Sequence, residues 1–287
     1  MSLLNSVNTN VGAMIALESL NSTNTQLAAA QKQVSTGYRV ADSTDDGAAY
    51  AIAQNVRSTV GALSSANQQL GDVQGLLSTT QSSMNNISDT MASMRDVLVK
   101  LSDSNVTGSD RTNYINQYNS LLANVQTFIQ DANYNGKTLI GNIAGHSGTF
   151  SRVAVVRNES GASYGIVTFG GSTLYHSITY TSTQLNAATT VQSIIGTSAS
   201  KSSFINQMNS VNVGLNTIGA EQNYVTNQVS YNSNKIDALN SGVGSLVDAD
   251  LAKESAQLQA LQIRQQLGTQ ALSLANQAPQ TLLTLFK

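Results

Sequence analysis

Apolar residues recur at helical spacing along both ends of this chain, and that spacing dictates long helices. From Ala256 the line runs Ala256, Ala260, Ile263, Leu267, Ala271, Leu274, Ala278, Leu282, Leu285, with every step three or four residues. Steps of that size keep side chains on one face of an α-helix. The N-terminal end answers with Ala13, Leu17, Leu20, Leu27 and Val34, with Asn24 and Gln31 at the same spacing. An amphipathic helix at each end is an arrangement for pairing the termini, and paired terminal helices are an assembly device rather than a catalytic one. The C-terminal steps recur with a period of about 3.67 residues per turn, close to a straight helix, whereas the N-terminal steps are heptad-like. Leu251, Leu258 and Leu261 lie off the C-terminal line, so that helix is apolar on more than one side. It needs more neighbours than one partner provides, which favours a polymer.

The interior continues the pattern. Residues 5–34 read as one helix, with Gly37 as its C-cap. The following stretch, 39–47, is too polar and short for a core element. Within it Ser43 and Asp46 have capping-box spacing, and Asp45 and Asp46 suit the positive end of a following helix. That helix spans 48–104, with apolar residues from Ile52 to Leu101, and a periodic pattern of this length indicates a rod or coiled coil. A further helix covers 110–132, and Asn135-Gly136 marks a turn. Beyond it, 150–156, 164–171 and Tyr175–Tyr180 cluster β-branched and aromatic residues, so 139–183 reads as several short strands, Gly170-Gly171 as a turn between them, and Thr189–Ile195 as a short helix or strand. Helix resumes near Ser202 and is punctuated by Gly242 and Gly244; Asp248 and Asp250 then stand where the carboxylates ahead of a last helix belong. The fold class is mainly α: a long-helix rod or coiled coil formed by the N- and C-terminal segments, with a small central β insert.

Composition narrows the function. Only 10% of the 287 residues are charged, and the net charge is -2. A surface this poor in charge gives nucleic acid no electrostatic footing, but suits a subunit that packs against many copies of itself. No apolar run reaches the roughly 18 residues that span a bilayer, so membrane insertion is not expected. The start, MSLLNSVNTNVGAMIALESL, has neither the positive region nor the unbroken apolar run of a signal peptide, so export would use another route. With no Cys, no HExxH and no GxSxG, and with His146 and His176 as the two histidines, neither a zinc site nor a hydrolase triad has an anchor. The Asp248-x-Asp250 pair with Glu254 reads as helix-start carboxylates rather than a metal site. Neither a cofactor nor enzymatic activity is expected.

Specific wording then identifies a family. Asn8-Thr-Asn, Val34-Ser-Thr-Gly-Tyr-Arg-Val, Asp45-Asp46-Gly47-Ala48-Ala49, Ala51-Ile52-Ala53 and Ala132-Asn-Tyr-Asn-Gly-Lys-Thr-Leu139 resemble the N-terminal part of bacterial flagellin. Asp248-Ala-Asp-Leu-Ala252, Gln266-Leu-Gly-Thr-Gln-Ala-Leu272 and Ala275-Asn-Gln-Ala-Pro-Gln280 before Leu282-Leu283 resemble its C-terminal part. The resemblance covers about residues 1–140 and 203–287, and the short insert is similar to the compact alphaproteobacterial type. It implies an inner, filament-core domain of residues 1–36 and 247–287, and a spoke linker of residues 37–47 carrying Arg39, Asp42, Asp45 and Asp46. It further implies a helical rod of residues 48–138 and 202–246, and a variable outer insert of residues 139–201. The implied polymerisation residues are Ala13, Leu17, Leu20, Leu27, Val34, Leu251, Leu258, Ile263, Leu267, Ala271, Leu274, Leu282 and Leu285. The implied partners are other copies of the chain, the flagellar export machinery and its chaperone, and the hook-associated and cap proteins. The implied location is the extracellular flagellar filament. Where the family's stretch for animal Toll-like receptor 5 typically has Arg and Glu, this chain has Ser93 and Gln117.

The function expected is a structural subunit that self-assembles into the filament for swimming. The alternative within the superfamily is a hook–filament junction protein, which shares the terminal helices but forms a short collar. A secreted enzyme on the same frame would need a catalytic constellation within 140–200, and those residues offer none. A coiled-coil binding module acting inside the cell would form discrete oligomers rather than filaments.

Overall fold

The computed structural model describes residues 9–141, 143, 149–150, 152–196 and 203–285, without the side chains of 149 and 278–285. Four long helices dominate: α1 (Val11–Thr36), α2 (Gly47–Leu101), α7 (Phe204–Val247) and α8 (Leu251–Leu285), with α3 (Gly108–Asp131) following α2. Between α3 and α7 lie β1 (Lys137–Thr138), β2 (Thr149–Phe150), β3 (Val153–Val156), β4 (Ser163–Ile166), α4 (Gly171–Ile178), α5 (Ser182–Asn186) and α6 (Ala188–Ile195). The chain divides into two compact units, Met1–Thr59 with Asp237–Lys287, and Val60–Ile236. Among the described residues no helix is long and apolar enough to cross a membrane.

The second unit is a coiled coil with an appended insert. Along α2 a buried line runs Leu63, Ala66, Leu70, Val73, Leu77, Thr80, Met84, Ile87, Met91, Met94, Leu98 and Leu101 in alternating steps of three and four, with Leu76 and Val97 buried beside it. Arg111, Ile115, Tyr118, Leu122, Val125 and Ile129 continue it on α3. This is the heptad seam of knobs-into-holes packing. Helix α7 runs antiparallel to α2: Gln74 Nε2 donates to Thr226 Oγ1 at 3.0 Å, and Gln222 Nε2 to Ser78 Oγ at 3.3 Å. The α7 side of the seam carries two buried polar residues, Glu221 and Asn232. Asn232 Nδ2 donates to Asn67 Oδ1 at 2.9 Å and to the Arg157 carbonyl at 3.0 Å, which fixes helix register and holds the β3–β4 turn at once. Lys235 pairs with Glu159 on the same turn, and Tyr164 of β4 stacks on Tyr224 at 4.1 Å.

The insert begins at the tight turn expected from Asn135-Gly136. Both residues have positive φ, 50° and 75°, and Tyr134 and Lys137 exchange main-chain hydrogen bonds of 2.9 and 3.0 Å. The Tyr134 ring lies over Gly75, where an added Cβ would sit 2.7 Å from it. Strands β3 and β4 pair antiparallel with Val153 opposite Ile166, while β1 and β2 pair parallel.

One sequence expectation is overturned here. Tyr175–Tyr180 is not a strand; most of it belongs to helix α4. Burial of Leu174 and Ile178, four apart, outweighs the β-propensity of its aromatic and β-branched residues. Gly170-Gly171 therefore leads from strand to helix rather than between strands, and Gly171 lies so close to Ile140 that a Cβ would be 2.5 Å from its Cγ2. Tyr118 anchors the end of α4, its hydroxyl donating to the Ile178 carbonyl at 2.6 Å, and burial pushes that hydroxyl's pKa up. Thr189–Ile195, whose sequence fits either a helix or a strand, lies in helix α6.

Arg111 ties the coiled coil to the insert. It is buried, and its guanidinium donates to the carbonyls of Leu101 at 2.6 Å, Val106 at 2.9 Å and Leu185 at 3.2 Å. These include a carbonyl at the end of α2 that has no helical partner. Arg111→Met keeps the apolar stem but strands those acceptors, so we expect a loss of about 3 kcal/mol. Urea unfolding should show it as a lower midpoint at unchanged slope.

Candidate assembly interface

In the first unit α1 and α8 form an antiparallel pair. Asn10 Nδ2 donates to the Ala275 carbonyl at 2.7 Å, and Gln265 Nε2 donates to Asn24 Oδ1 at 2.8 Å. Leu27, Ala30 and Leu261 form the buried cluster, with Leu258 packed against it. Between Val11 and Ala30 the residues withdrawn from solvent are Ala13, Ala16, Leu20, Thr23, Leu27 and Ala30; half-buried Val34 extends the line. From Glu254 to Ala275 of α8 they are Glu254, Leu258, Leu261, Gln265, Gly268, Leu272 and Ala275. Both sets alternate three and four, a heptad seam.

The pairing of the termini matches the expectation, but the faces that meet do not. On α1 the seam shares Ala13, Leu20, Leu27 and Val34 with the expected line, yet takes Ala16, Thr23 and Ala30 in place of Leu17, Asn24 and Gln31. Small residues let the two backbones approach, while Asn24 lies at the seam's edge and accepts from Gln265. Gly268 marks the closest fit, since a Cβ there would lie 3.2 Å from Leu20 Cδ1. On α8 the correction is larger. The line from Ala256 to Leu274 does not face α1: Ile263 and Leu267 are 58% exposed and Leu274 is 70% exposed. Ala271 and Leu251 are also exposed. The side chains of Leu282 and Leu285 lie outside the described residues. Helix α8 thus has two faces, a heptad face used within the chain and an eleven-residue stripe without a partner among the described residues. Helix α1 adds exposed Met14, Ile15 and Leu17 on its own outer side.

Four threonine hydroxyls of the pair, in the seam and outside it, are folded back onto their own helices. Thr23, Thr25 and Thr36 hydroxyls donate to the carbonyls of Ser19, Asn21 and Lys32 at 2.8, 3.0 and 2.8 Å, and Thr269 donates to Gln266 at 2.8 Å. A hydroxyl folded onto its own helix leaves no lone donor when a neighbour covers it.

The spoke residues form a defined knot. Gly37 caps α1 with φ 75°, and its carbonyl accepts from Ala249 N at 3.0 Å. Arg39 N donates to the Val247 carbonyl at 2.7 Å, and the Arg39 guanidinium donates to the Leu246 carbonyl. Lys32 Nζ sits 2.7 Å from both Asp42 Oδ2 and Asp45 Oδ1. Asp45 also accepts from Ala41 N at 2.9 Å. Asp46 itself caps α2, accepting from Ala48 N and Ala49 N at 3.0 Å, so the expected Ser43–Asp46 capping box gives way to a single-residue cap. Likewise Asp250 alone caps α8, accepting from Ala252 N at 3.1 Å, while Asp248 pairs with Tyr38 in a β-bridge. Beneath the loop Val40, Ala53, Val243 and Val247 form a small core, which leaves Ile52 exposed.

Lys32 escaped sequence reasoning. The signal was available: Lys32 and Glu18 are the charged residues of α1, and an acidic loop follows closely. Hydrogen bonds to Lys32 hold the carboxyls of Asp42 and Asp45 below the ordinary value of 3.8, and the same carboxylates hold Lys32 above 10.5. The depressed carboxyls contribute stability that is complete above pH 3.8 and is lost as pH falls through their folded values. The raised ammonium contributes stability that is complete below pH 10.5 and is lost above it. Hydrogen exchange at Ala41 N should therefore stay slow between these limits, after correction for intrinsic pH dependence, and accelerate below the carboxylate range. Lys32→Met should move that step up toward the ordinary carboxylate range, since the Ala41 N–H still needs an ionised Asp45.

Among the described residues no three His, Cys, Asp or Glu side chains are placed to hold a metal. His176 is exposed, its Nδ1 2.7 Å from the Ser172 carbonyl, and His146 lies outside the described residues.

Comparison with known proteins agrees with this architecture. Residues 7–144 match the bacterial flagellin N-terminal helical region and residues 204–286 match the bacterial flagellin C-terminal helical region. Flagellin FljM of Caulobacter vibrioides is 31% identical, over 99% of this chain and 99% of its own. A flagellin of Brucella melitensis is 34% identical over 98% of this chain and 99% of its own. A solved structure described as a flagellar hook-associated protein from Vibrio parahaemolyticus shares the fold, with a TM-score of 0.58 at 15% identity over 71% of this chain and 100% of that one.

Proposed function

This chain belongs to the bacterial flagellin family and is a structural subunit of the flagellar filament, and from that membership we propose how its residues make the polymer. The observation that carries the reading is the exposed stripe of α8. Ile263, Leu267 and Leu274 stand in water on a helix whose opposite face is already occupied. Each such side chain contributes about 1.5–3 kcal/mol when a neighbouring copy buries it. Residues 1–36 and 247–287 then form the filament core, 37–47 the spoke, 48–138 and 202–246 the rod, and 139–201 the outer insert.

The two faces divide the interface residues by role. Ala13, Leu20, Leu27, Val34 and Leu258 fix α1 to α8 and act in assembly by shaping the pair. Leu17, Leu251, Ile263, Leu267, Ala271 and Leu274 meet neighbouring copies directly, and Leu282 and Leu285 extend that line. The spoke residues Arg39, Asp42, Asp45 and Asp46 hold the loop that joins α1 to α2. Passage through the flagellar export machinery with its chaperone, and contact with hook-associated and cap proteins outside the cell, belong to the same proposal. So does the absence of charged receptor contacts at Ser93 and Gln117, both exposed on the rod. A junction subunit is not favoured, because the relatives that span nearly the whole chain are flagellins.

Leu267→Asp places a carboxylate in the middle of the outer stripe. It leaves the monomer folded, since Leu267 is exposed there, but burying an unpaired charge costs several kcal/mol or more in the polymer. Purified variant should keep its helical circular dichroism and form no filaments by negative-stain microscopy. Normal filaments would refute the assignment of this face.

A further inference from the structure

On the α1–α8 pair two exposed charges of opposite sign stand away from the helix ends, whereas exposed Lys253 and half-buried Glu254, whose Oε2 has no partner among the described residues, lie in the first turn of α8. Glu18 and Arg264 are both exposed, and neither side chain has an ion-pair or hydrogen-bond partner among the described residues. Lys32 is committed to the spoke, and Lys253 belongs to the first turn of α8. Glu18 lies on the side of α1 away from the seam, in a shallow apolar groove of about 480 Å³ with Met14, Ile15 and Leu17. Arg264 lies on the flank of the pair, in a groove of about 520 Å³ shared by both helices and lined by Ser22, Gln26, Leu267 and Ala271. The seam pairs Asn24 with Gln265, so Glu18 is about 10 Å along the axis from the level of Arg264, beyond the reach of a direct pair within one copy.

We propose that the Glu18 ridge of one copy docks in the Arg264 groove of the next, so that the two charges pair between subunits and set their register. The proposal rests on the filament reading above, and commits the grooves to a second copy of this chain. Three observations meet in it. The two patches are different surfaces with complementary charge, and a contact between unlike patches repeats head to tail, building an open helical polymer when its rotation does not close a ring. Glu18 is ringed by exposed apolar residues, and the Arg264 groove adds Leu267 and Ala271 among its hydroxyls and amides, so docking would withdraw the pair from water. Between the first turn of α8 and its C-terminal end Arg264 is the one charged residue through position 285, so little else along that length of α8 competes to set the register.

The test is a charge swap in the full-length chain, with each variant elongating on its own sheared filaments and growth read by light scattering. Glu18→Arg and Arg264→Glu should each slow elongation about tenfold, by setting like charges together. The double variant should recover to within about threefold of the unchanged chain. Lys253→Glu, a reversal at the exposed cation outside the groove, should elongate normally. A double variant as slow as the slower single overturns the pairing. Single reversals that elongate at full rate, beside a blocked Leu267→Asp, overturn it too and leave the filament reading intact. If Leu267→Asp also grows normally, that reading falls, and the pairing with it.

Discussion

The seam between α1 and α8 is the interaction on which the rest of this subunit depends. It is built from small and medium side chains at heptad spacing, with Ala16, Ala30 and Gly268 among them, so the helices lie close and little apolar area is buried. A seam this lean cannot itself supply much stability, because hydrophobic gain scales with the area removed from water. It sets geometry instead. By taking one face of α8 it decides which face is left over, and that face is the apolar stripe through Ile263, Leu267 and Leu274. The two periods differ in sense: a seven-residue repeat follows a left-handed supercoil, and an eleven-residue repeat a right-handed one. The outer stripe therefore winds around the pair relative to the seam, and presents apolar side chains to more than one direction along its length.

The polar surface complements that stripe. A subunit stacked in many copies cannot carry many like charges, and this chain has few; nor can it bury unsatisfied donors. Ser and Thr meet both limits by donating to the carbonyl a turn earlier, as Thr23, Thr25, Ser65, Thr90 and Ser120 do. Charge is spent instead where a loop must be held. Lys32 gathers the spoke through two carboxylates, and Lys235 with Glu159 holds the β3–β4 turn. Buried polarity within the rod has the same local purpose, since Asn232 reads both the α2 register and the hairpin that rests on α7.

Much of this was legible in the sequence, and for a definite reason. Helical period over dozens of residues leaves no competing secondary structure, so the long helices, the Gly37 cap and the Asn135-Gly136 turn could be read directly. What could not be read was the choice between faces. Leu17 and Ala16 are neighbours, and periodicity cannot tell which of them turns inward; close packing chose the alanine. On α8 two apolar lines coexist, and the longer and more regular one turned outward. Helix α4 misled because its residues favour a strand in isolation, whereas burial of Leu174 and Ile178 beside α3 made it helical. Lys32 was missed because its partners are spatial rather than periodic.

The central claim is that α8 uses one face within the subunit and the other between subunits. The chain has no cysteine, so single cysteines can be placed on each face and their labelling rates compared in monomer and filament. Positions 263, 267 and 274 should react freely in the monomer and become protected in the filament, while positions 258 and 261 should be protected in both. If the first three positions label as fast in the filament as in the monomer, the outer stripe is not the face that builds the polymer.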